Sequence, residues 1–233
     1  MKLKKLMALA LSGVLAVSMF AGCAKADVKP EDPTDPEGPV AVEGDISAGV
    51  AANIENLPAY VEFAGDSALS SALNYVVGFA NVWQINAGYY ENALKEIDSK
   101  HADLQNRLEK AVGVTKFDPL GKPEKEINVD IDNIGSNWAL KAAEAVSTVE
   151  IDDAKAVQLY AASGVIEEEA LNTLVAEAID RVVTNYNNIC REGGENGIYD
   201  YDYTVSVSTD VKEDNGAVAT FVAVQVVRSA TRS

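Results

Sequence analysis

The longest hydrophobic pattern in the chain is a seam of apolar positions between residues 69 and 111. Its members recur at alternating spacings of four and three residues, the pattern of a helix that packs along one face. One long helix is therefore predicted, bent near residues 86–88, with Asp66 or Ser67 at its start and Gly113 at its end. The seam consists of Leu69, Leu73, Val76, Ala80, Trp83, Ala87, Tyr90, Leu94, Ile97, His101, Leu104, Leu108 and Ala111.

Shorter periodic segments predict three to four further helices. Ile46, Val50 and Ile54 share one face of a short helix over residues 45–57, which ends before Pro58. Alanine-rich segments predict helices over 137–149 and 152–162, and residues 127–131 alternate as in a short strand. A last helix starts at Glu167–Glu169, whose carboxylates favour a helix N-terminus, and ends at Gly193.

The C-terminal segment alternates between apolar and polar residues and predicts an antiparallel hairpin. Asn215-Gly216 is the strongest turn signal for such a hairpin. With these residues at the turn, Val207 faces Val224 and Val205 faces Val226, so the apolar faces of both strands coincide. The chain is therefore expected to be α+β and predominantly helical, with this hairpin in a small sheet.

The first 23 residues have the features of an export signal. Lys2, Lys4 and Lys5 precede an apolar stretch over residues 6–22, which is too short to span a membrane. The sequence Phe20-Ala21-Gly22-Cys23 resembles the lipobox of bacterial lipoproteins. This resemblance implies that Cys23 becomes the mature N-terminus and carries diacylglycerol, whose two acyl chains anchor a protein stably.

This resemblance predicts the domain organisation. Residues 1–22 form the signal peptide, and residues 23–44 form the lipidated cysteine with an acidic tether that has proline at every third position from Pro30 to Pro39. Proline stiffens such a linker, and its carboxylates are repelled by an anionic membrane surface. A single domain over residues 45–233 is expected on the outer side of the cytoplasmic membrane.

Composition and charge exclude several functions. The 233 residues contain 19 Lys and Arg against 36 Asp and Glu, a net charge of −17, which is unfavourable for binding nucleic acid. One histidine and two cysteines cannot build the usual zinc site. Residues 130–135 begin like a calcium loop, but Ile134 and Lys141 occupy two ligand positions of that motif. No metal site and no cofactor are predicted.

A few residues remain as candidates for chemistry. Tyr199, Tyr201 and Tyr203 form either an aromatic platform for a glycan or protein, or the buried face of the hairpin. His101 is either a general base or ligand, or a hydrogen-bonded histidine of the core. Cys190 is either a buried inert thiol or a reactive one.

Three functions remain open. The leading hypothesis is a non-catalytic, lipid-anchored surface protein that binds a protein or glycan, because no catalytic motif is found. The first alternative is an envelope hydrolase that uses carboxylates or a serine. The second alternative is an assembly subunit that uses the seam from Leu69 to Ala111 as an interface. The sequence does not define the oligomeric state.

Overall fold

The computed structural model describes residues 42–114, 140, 154–191 and 198–232. All of them belong to one compact unit, Val40–Ser233. The side chains at 189–191, 198, 199 and 232 are not among those described.

A six-stranded mixed sheet forms the centre of this unit. Its order is β1-β5-β6-β3-β2, with β4 also paired to β5. Among the described strands, only β1 and β5 run parallel. The strands are β1 Val61–Phe63, β2 Lys95–Glu96, β3 Ala154–Ser163, β4 Ile189–Arg191, β5 Ile198–Asp214 and β6 Ala217–Arg232.

Helices cover both faces of the sheet. The described helices are α1 Ser47–Ala51, α2 Ser67–Val77, α3 Val82–Gly88, α4 Ala102–Val112 and α5 Glu168–Val183, with a 3-10 turn at Ser99–His101. Residues of α1 and α5 pack in a first core, and residues of α2, α3 and α4 pack in a second. Successive strand residues point to opposite faces, so that Tyr160 contributes to the first core and Leu159 to the second.

The prediction of one long helix over the seam is wrong. Gly78 follows the end of α2, and Lys212 Nζ donates to the carbonyls of Gly78 and Ala80, each at 2.8 Å. Asn81 then caps α3, because its Oδ1 accepts a hydrogen bond from Gln84 N. The seam does not follow the core through α3, because Val82 and Ile85 are buried there whereas the seam residue Trp83 is exposed.

The predominantly helical fold class is also wrong. The segment predicted as a helix over 152–162 contains most of β3, which is covered by helices on both faces. A strand buried on both faces has a continuous apolar sequence without alternation, so its period does not distinguish it from a buried helix. The sheet has six strands rather than the few expected beside the hairpin.

Several local predictions are confirmed. The hairpin has the predicted register, including Val207 opposite Val224 and Val205 opposite Val226. Asp66 caps α2, and Gly113 ends α4 with a φ of 68°. The last helix starts at Glu168 but ends at Val183, ten residues before Gly193. The predicted strand at 127–131 lies outside the described residues, as does the helix at 137–149 except for Leu140.

Candidate functional site

Helix α2 has an apolar side that fixes it to the sheet and a polar side that faces solvent. Leu69, Leu73 and Val76 are buried in the second core. Ser71 and Tyr75 are exposed, and they lie on one face because residues four apart in a helix are neighbours. The helix therefore presents hydroxyl and aromatic groups on the same exposed line.

A cleft of about 710 Å³ lies between α2, β5 and the segment at residues 42–44. This segment follows the edge of β5, where the carbonyl of Gly44 accepts a hydrogen bond from Thr209 N at 2.8 Å. We call this cavity the α2 cleft. Its lining is mostly hydroxyl, amide and carboxylate groups, from Val42, Glu43, Gly44, Ser67, Ser70, Ser71, Asn74, Thr209 and Asp210.

Polar contacts between α2 and the sheet hold one wall of the α2 cleft. The hydroxyls of Ser70 and Ser208 are 2.7 Å apart, and Ser208 is buried. At the N-terminus of α2, Asp66 Oδ2 accepts a hydrogen bond from the buried Gln225 Nε2 at 2.7 Å. These contacts fix the position of α2 on the sheet, so the cleft is preformed, as most small-ligand sites are.

Asp210 is already hydrogen-bonded on the floor of the cleft. Its Oδ2 accepts from Asn74 Nδ2 at 3.3 Å, and its Oδ1 accepts from the backbone N–H of Val211 at 2.8 Å. The carboxylate thereby orients the Asn74 amide. The cleft can offer hydrogen-bond donors and acceptors to a ligand from this amide and from its serine and threonine hydroxyls.

Two exposed aromatic rings lie outside the lining of the cleft, Tyr75 one helical turn beyond Ser71 and Phe79 in the turn after α2. The rings of Tyr75 and Phe79 meet edge to face, with 5.1 Å between their centroids. The guanidinium of Arg107 lies 4.3 Å from the centroid of Phe79. Tyr75 is 56% exposed and Phe79 50%, and exposed aromatic patches often mark interaction sites. We call these two rings, together with the α2 cleft, the α2 surface.

Sequence reasoning missed the α2 surface because it concentrated on the seam. Tyr75 and Phe79 fall between seam positions, which is the signal that they face away from the core. Ser67, Ser70 and Ser71 lie within an otherwise apolar segment. A serine cluster beside aromatic residues that are out of phase with the core pattern indicates a polar, exposed helix face.

The tyrosines proposed as a platform lie elsewhere. Tyr201 and Tyr203 are buried in the first core and offer no exposed ring to a ligand. The ring of Tyr203 stacks on Tyr186 with centroids 4.5 Å apart, and its hydroxyl donates to the carbonyl of Asn187 at 2.7 Å. The guanidinium of the buried Arg228 lies 4.9 Å from the ring of Tyr201. The side chain of Tyr199 lies outside the described residues.

His101 is a buried, hydrogen-bonded histidine. Its Nδ1 is 2.8 Å from Asp98 Oδ1, and its ring meets Tyr89 edge to face at 5.9 Å. The hydroxyl of Tyr89 accepts a hydrogen bond from Asp98 N at 3.0 Å. Burial raises the pKa of Tyr89 to about 12, so this hydroxyl stays protonated at neutral pH.

His101 and the serines of the α2 cleft lie at different parts of the sheet. The histidine follows β2, whereas Ser208 is on β5, with β3 and β6 between them. Neighbouring strands are about 4.8 Å apart, so the backbones of β2 and β5 are separated by about 14 Å. The structure therefore does not combine His101 with Ser70 or Ser208 into a nucleophile and base.

The remaining candidates are only partly described. The backbone of Cys190 is in β4, opposite Tyr199, and its side chain is not described. Cys23, the tether and the segment at 130–135 lie outside the described residues. Within the described ranges, no three His, Cys, Asp or Glu side chains are grouped as a metal site would require. The helices of those ranges are all too short or too polar to cross a membrane.

Comparisons with protein family models, with curated proteins and with solved structures found no match for this chain. The α2 surface and the N-terminal sequence are therefore the features of this chain that point to a function.

Proposed function

We propose that this chain is a lipid-anchored protein of the bacterial cell surface that binds a ligand at the α2 surface without transforming it. The observation that carries the binding role is that the exposed ring of Tyr75 lies one helical turn beyond Ser71, which lines the hydroxyl- and amide-rich α2 cleft. Binding sites usually combine apolar contact area with a few oriented polar groups in this way.

The proposed anchor rests on the lipobox-like sequence that ends at Cys23. A diacylglycerol on this cysteine would hold the domain at the outer side of the cytoplasmic membrane, and the acidic tether would space it from the lipid surface. Under this proposal, the membrane is a partner only through the lipid. The bound ligand belongs to the cell envelope or its surroundings.

The two alternatives have less support. A serine hydrolase needs a base beside the nucleophile, and His101 is about three strands away from the serines of the cleft. An assembly interface along the whole seam is not available, because Leu69, Leu73, Leu104 and Leu108 are buried within the chain.

Detergent partitioning tests the anchor. The full chain expressed in a bacterial host is expected in the detergent phase, and Cys23→Ser in the aqueous phase or with an unprocessed signal. A Cys23→Ser chain that is processed normally and still enters the detergent phase would refute lipidation at this residue.

Co-sedimentation with isolated bacterial envelopes tests the binding role. The mature chain from residue 24, without lipid, is expected to bind saturably, and Tyr75→Ala and Asn74→Ala are expected to bind more weakly. Tyr90→Ala is the matched control, since Tyr90 is 80% exposed and lies beside β3, two strands away from β5. Equal binding of all four proteins, or no saturable binding, would refute the proposal.

A further inference from the structure

We infer that the ligand of the α2 surface is a neutral oligosaccharide, with a sugar ring against Tyr75 and its hydroxyls in the α2 cleft. This inference rests on the proposed binding function and names the class of ligand. A pyranose ring has an apolar C–H face and a polar rim of hydroxyls. A site for it therefore needs an exposed aromatic face beside groups that both donate and accept hydrogen bonds.

The polar part of the α2 surface fits this chemistry. Ser67, Ser71, Asn74 and Thr209 are among the residues that line the cleft. The hydroxyls of Ser71 and Thr209 already donate to carbonyls of this chain, so they can accept hydrogen bonds from a ligand, whereas the Asn74 amide can donate as well as accept. Among the described residues that line the cleft, none is Lys or Arg. The chain as a whole has a net charge of −17. An anionic ligand would therefore find no cationic side chain in the cleft itself and would be repelled by an acidic chain.

The aromatic part fits as well. Tyr75 lies one helical turn beyond Ser71, so a ligand that fills the cleft reaches its ring without crossing apolar core residues. From Ser67 to Tyr75 the helix rises about 12 Å, because each residue contributes about 1.5 Å. This length exceeds one sugar ring and favours a chain of sugars over a monosaccharide.

A basic peptide is the competing occupant, because Glu43 and Asp210 line the cleft. Both oxygens of Asp210 already accept hydrogen bonds from this chain. At the aromatic end, the guanidinium of Arg107 already lies over Phe79. The carboxylates of Glu43 and Asp210 keep their charge, whereas Arg107 repels a cationic ligand at the aromatic end. The neutral ligand is favoured because it alone meets no like charge along the α2 surface.

Titration calorimetry of the mature chain tests the inference. The probes are neutral tetrasaccharides of glucose, N-acetylglucosamine, mannose and galactose in their common linkages, with oligolysine as the basic peptide. At least one neutral tetrasaccharide is expected to bind saturably. Tyr75→Ala and Asn74→Ala are each expected to weaken that binding by about tenfold, the size of one lost aromatic or hydrogen-bonding contact.

Two variants serve as matched controls. Tyr90→Ala removes an exposed aromatic ring beside β3, two strands away from β5, and Asn185→Ala removes an exposed amide just beyond α5, on the face of the sheet opposite α2. Both are expected to bind within about twofold of the wild type, since surface changes away from a site have small effects. Circular dichroism spectra identical to that of the wild type would establish that the variants are folded.

The outcomes separate this inference from the proposed function. Binding of oligolysine with no binding of any neutral tetrasaccharide overturns the saccharide inference and leaves a binding protein. Saccharide binding that is unchanged in Tyr75→Ala and Asn74→Ala overturns the assignment to the α2 surface. Cleavage of the bound tetrasaccharide, detected by chromatography, supports the ligand class and refutes a non-catalytic function.

Discussion

The two faces of the central sheet use aromatic residues in opposite ways. On the face covered by α1 and α5, Tyr160, Tyr201 and Tyr203 point from the strands into the core, and Tyr186 packs with them. On the other face the strands contribute several alanines, such as Ala161 and Ala219, beneath α2, α3 and α4. The large aromatic residues of that helical layer are mostly exposed: Tyr75, Phe79, Trp83 and Tyr90.

This difference means that the buried rings of the first face contribute to stability, whereas the exposed rings of the second are available for recognition. A buried aromatic side chain stabilises the fold through its large apolar area, whereas an exposed one is available to a partner. The second core contains fewer rings, Phe221 and Tyr89, and the alanines of that face let the helices lie close to the sheet. Polar contacts then help to hold that layer, including those between Ser70 and Ser208 and between Asp66 and Gln225.

The largest expected effect is at Tyr203. Its ring is fully buried against Tyr186, so Tyr203→Ala is expected to lower the free energy of unfolding by about 3–5 kcal/mol, as large-to-small changes of aromatic core residues do. Urea denaturation of the mature chain would measure it. Tyr203→Phe keeps the ring, loses the hydrogen bond to Asn187 and is expected to cost about 0.5–1.5 kcal/mol. Equal stabilities of Tyr203→Ala and the wild type would contradict the burial of this ring.

A smaller effect is expected at Gln105, which connects α4 to the outer edge of β3. Its side-chain amide donates to the carbonyl of Val157 and accepts from Leu159 N, each at 2.8 Å, and is buried. The side chain thereby replaces a neighbouring strand along this edge. Gln105→Ala is expected to cost about 1–3 kcal/mol, because buried backbone groups lose their partners.

The control for Gln105 is the next residue of α4. Asn106 is exposed, so Asn106→Ala tests the effect of alanine on the helix without changing the edge of β3. It is expected to be neutral or slightly stabilising, by less than about 0.7 kcal/mol, since alanine has the higher helix propensity. Similar losses for Gln105→Ala and Asn106→Ala would mean that the contact with β3 contributes nothing.

The hairpin was predictable because its turn and its strand pairing depend on residues close together in the sequence. Asn215-Gly216 defines the turn, and alternation on both sides of it defines which residues pair. The caps at Asp66 and Gly113 were predictable for the same reason, since each depends on the residue itself and its close neighbours.

The rest of the sheet depends on contacts between distant parts of the chain. β3 pairs with β6 across some 60 residues of sequence, and burial on both faces removes the alternation that would reveal a strand. β1 and β2 have only three and two residues, too few for a period to be recognised. The long helix was predicted because apolar residues of three separate segments continue one spacing in the sequence, although in α3 the exposed Trp83 has that spacing and the buried Ile85 does not.

The exposure of the candidate site residues also depends on contacts between distant parts of the chain. Tyr201 and Tyr203 alternate with polar residues, which indicates that they share a face of a strand but not whether a helix covers that face. Within the predicted seam, Leu73 is buried and Trp83 is 58% exposed. Only the packing of α3 on the sheet distinguishes these two positions, because both have the spacing of a core residue.

The smallest effect on the free energy of unfolding is expected for the exposed rings. This effect tests whether the two faces of the sheet differ in how they use aromatic residues. Tyr75→Ala and Trp83→Ala are each expected to change the free energy of unfolding by less than about 1 kcal/mol, because exposed side chains contribute little to stability. Urea denaturation under the conditions used for Tyr203→Ala would measure both. A loss at Tyr75 close to that of Tyr203→Ala would mean that its ring is covered in solution, and α2 could not then present it to a saccharide. A small loss of stability at Tyr75, combined with a large loss of saccharide binding, would instead assign this ring to recognition, because the ring is then buried only when a ligand covers it.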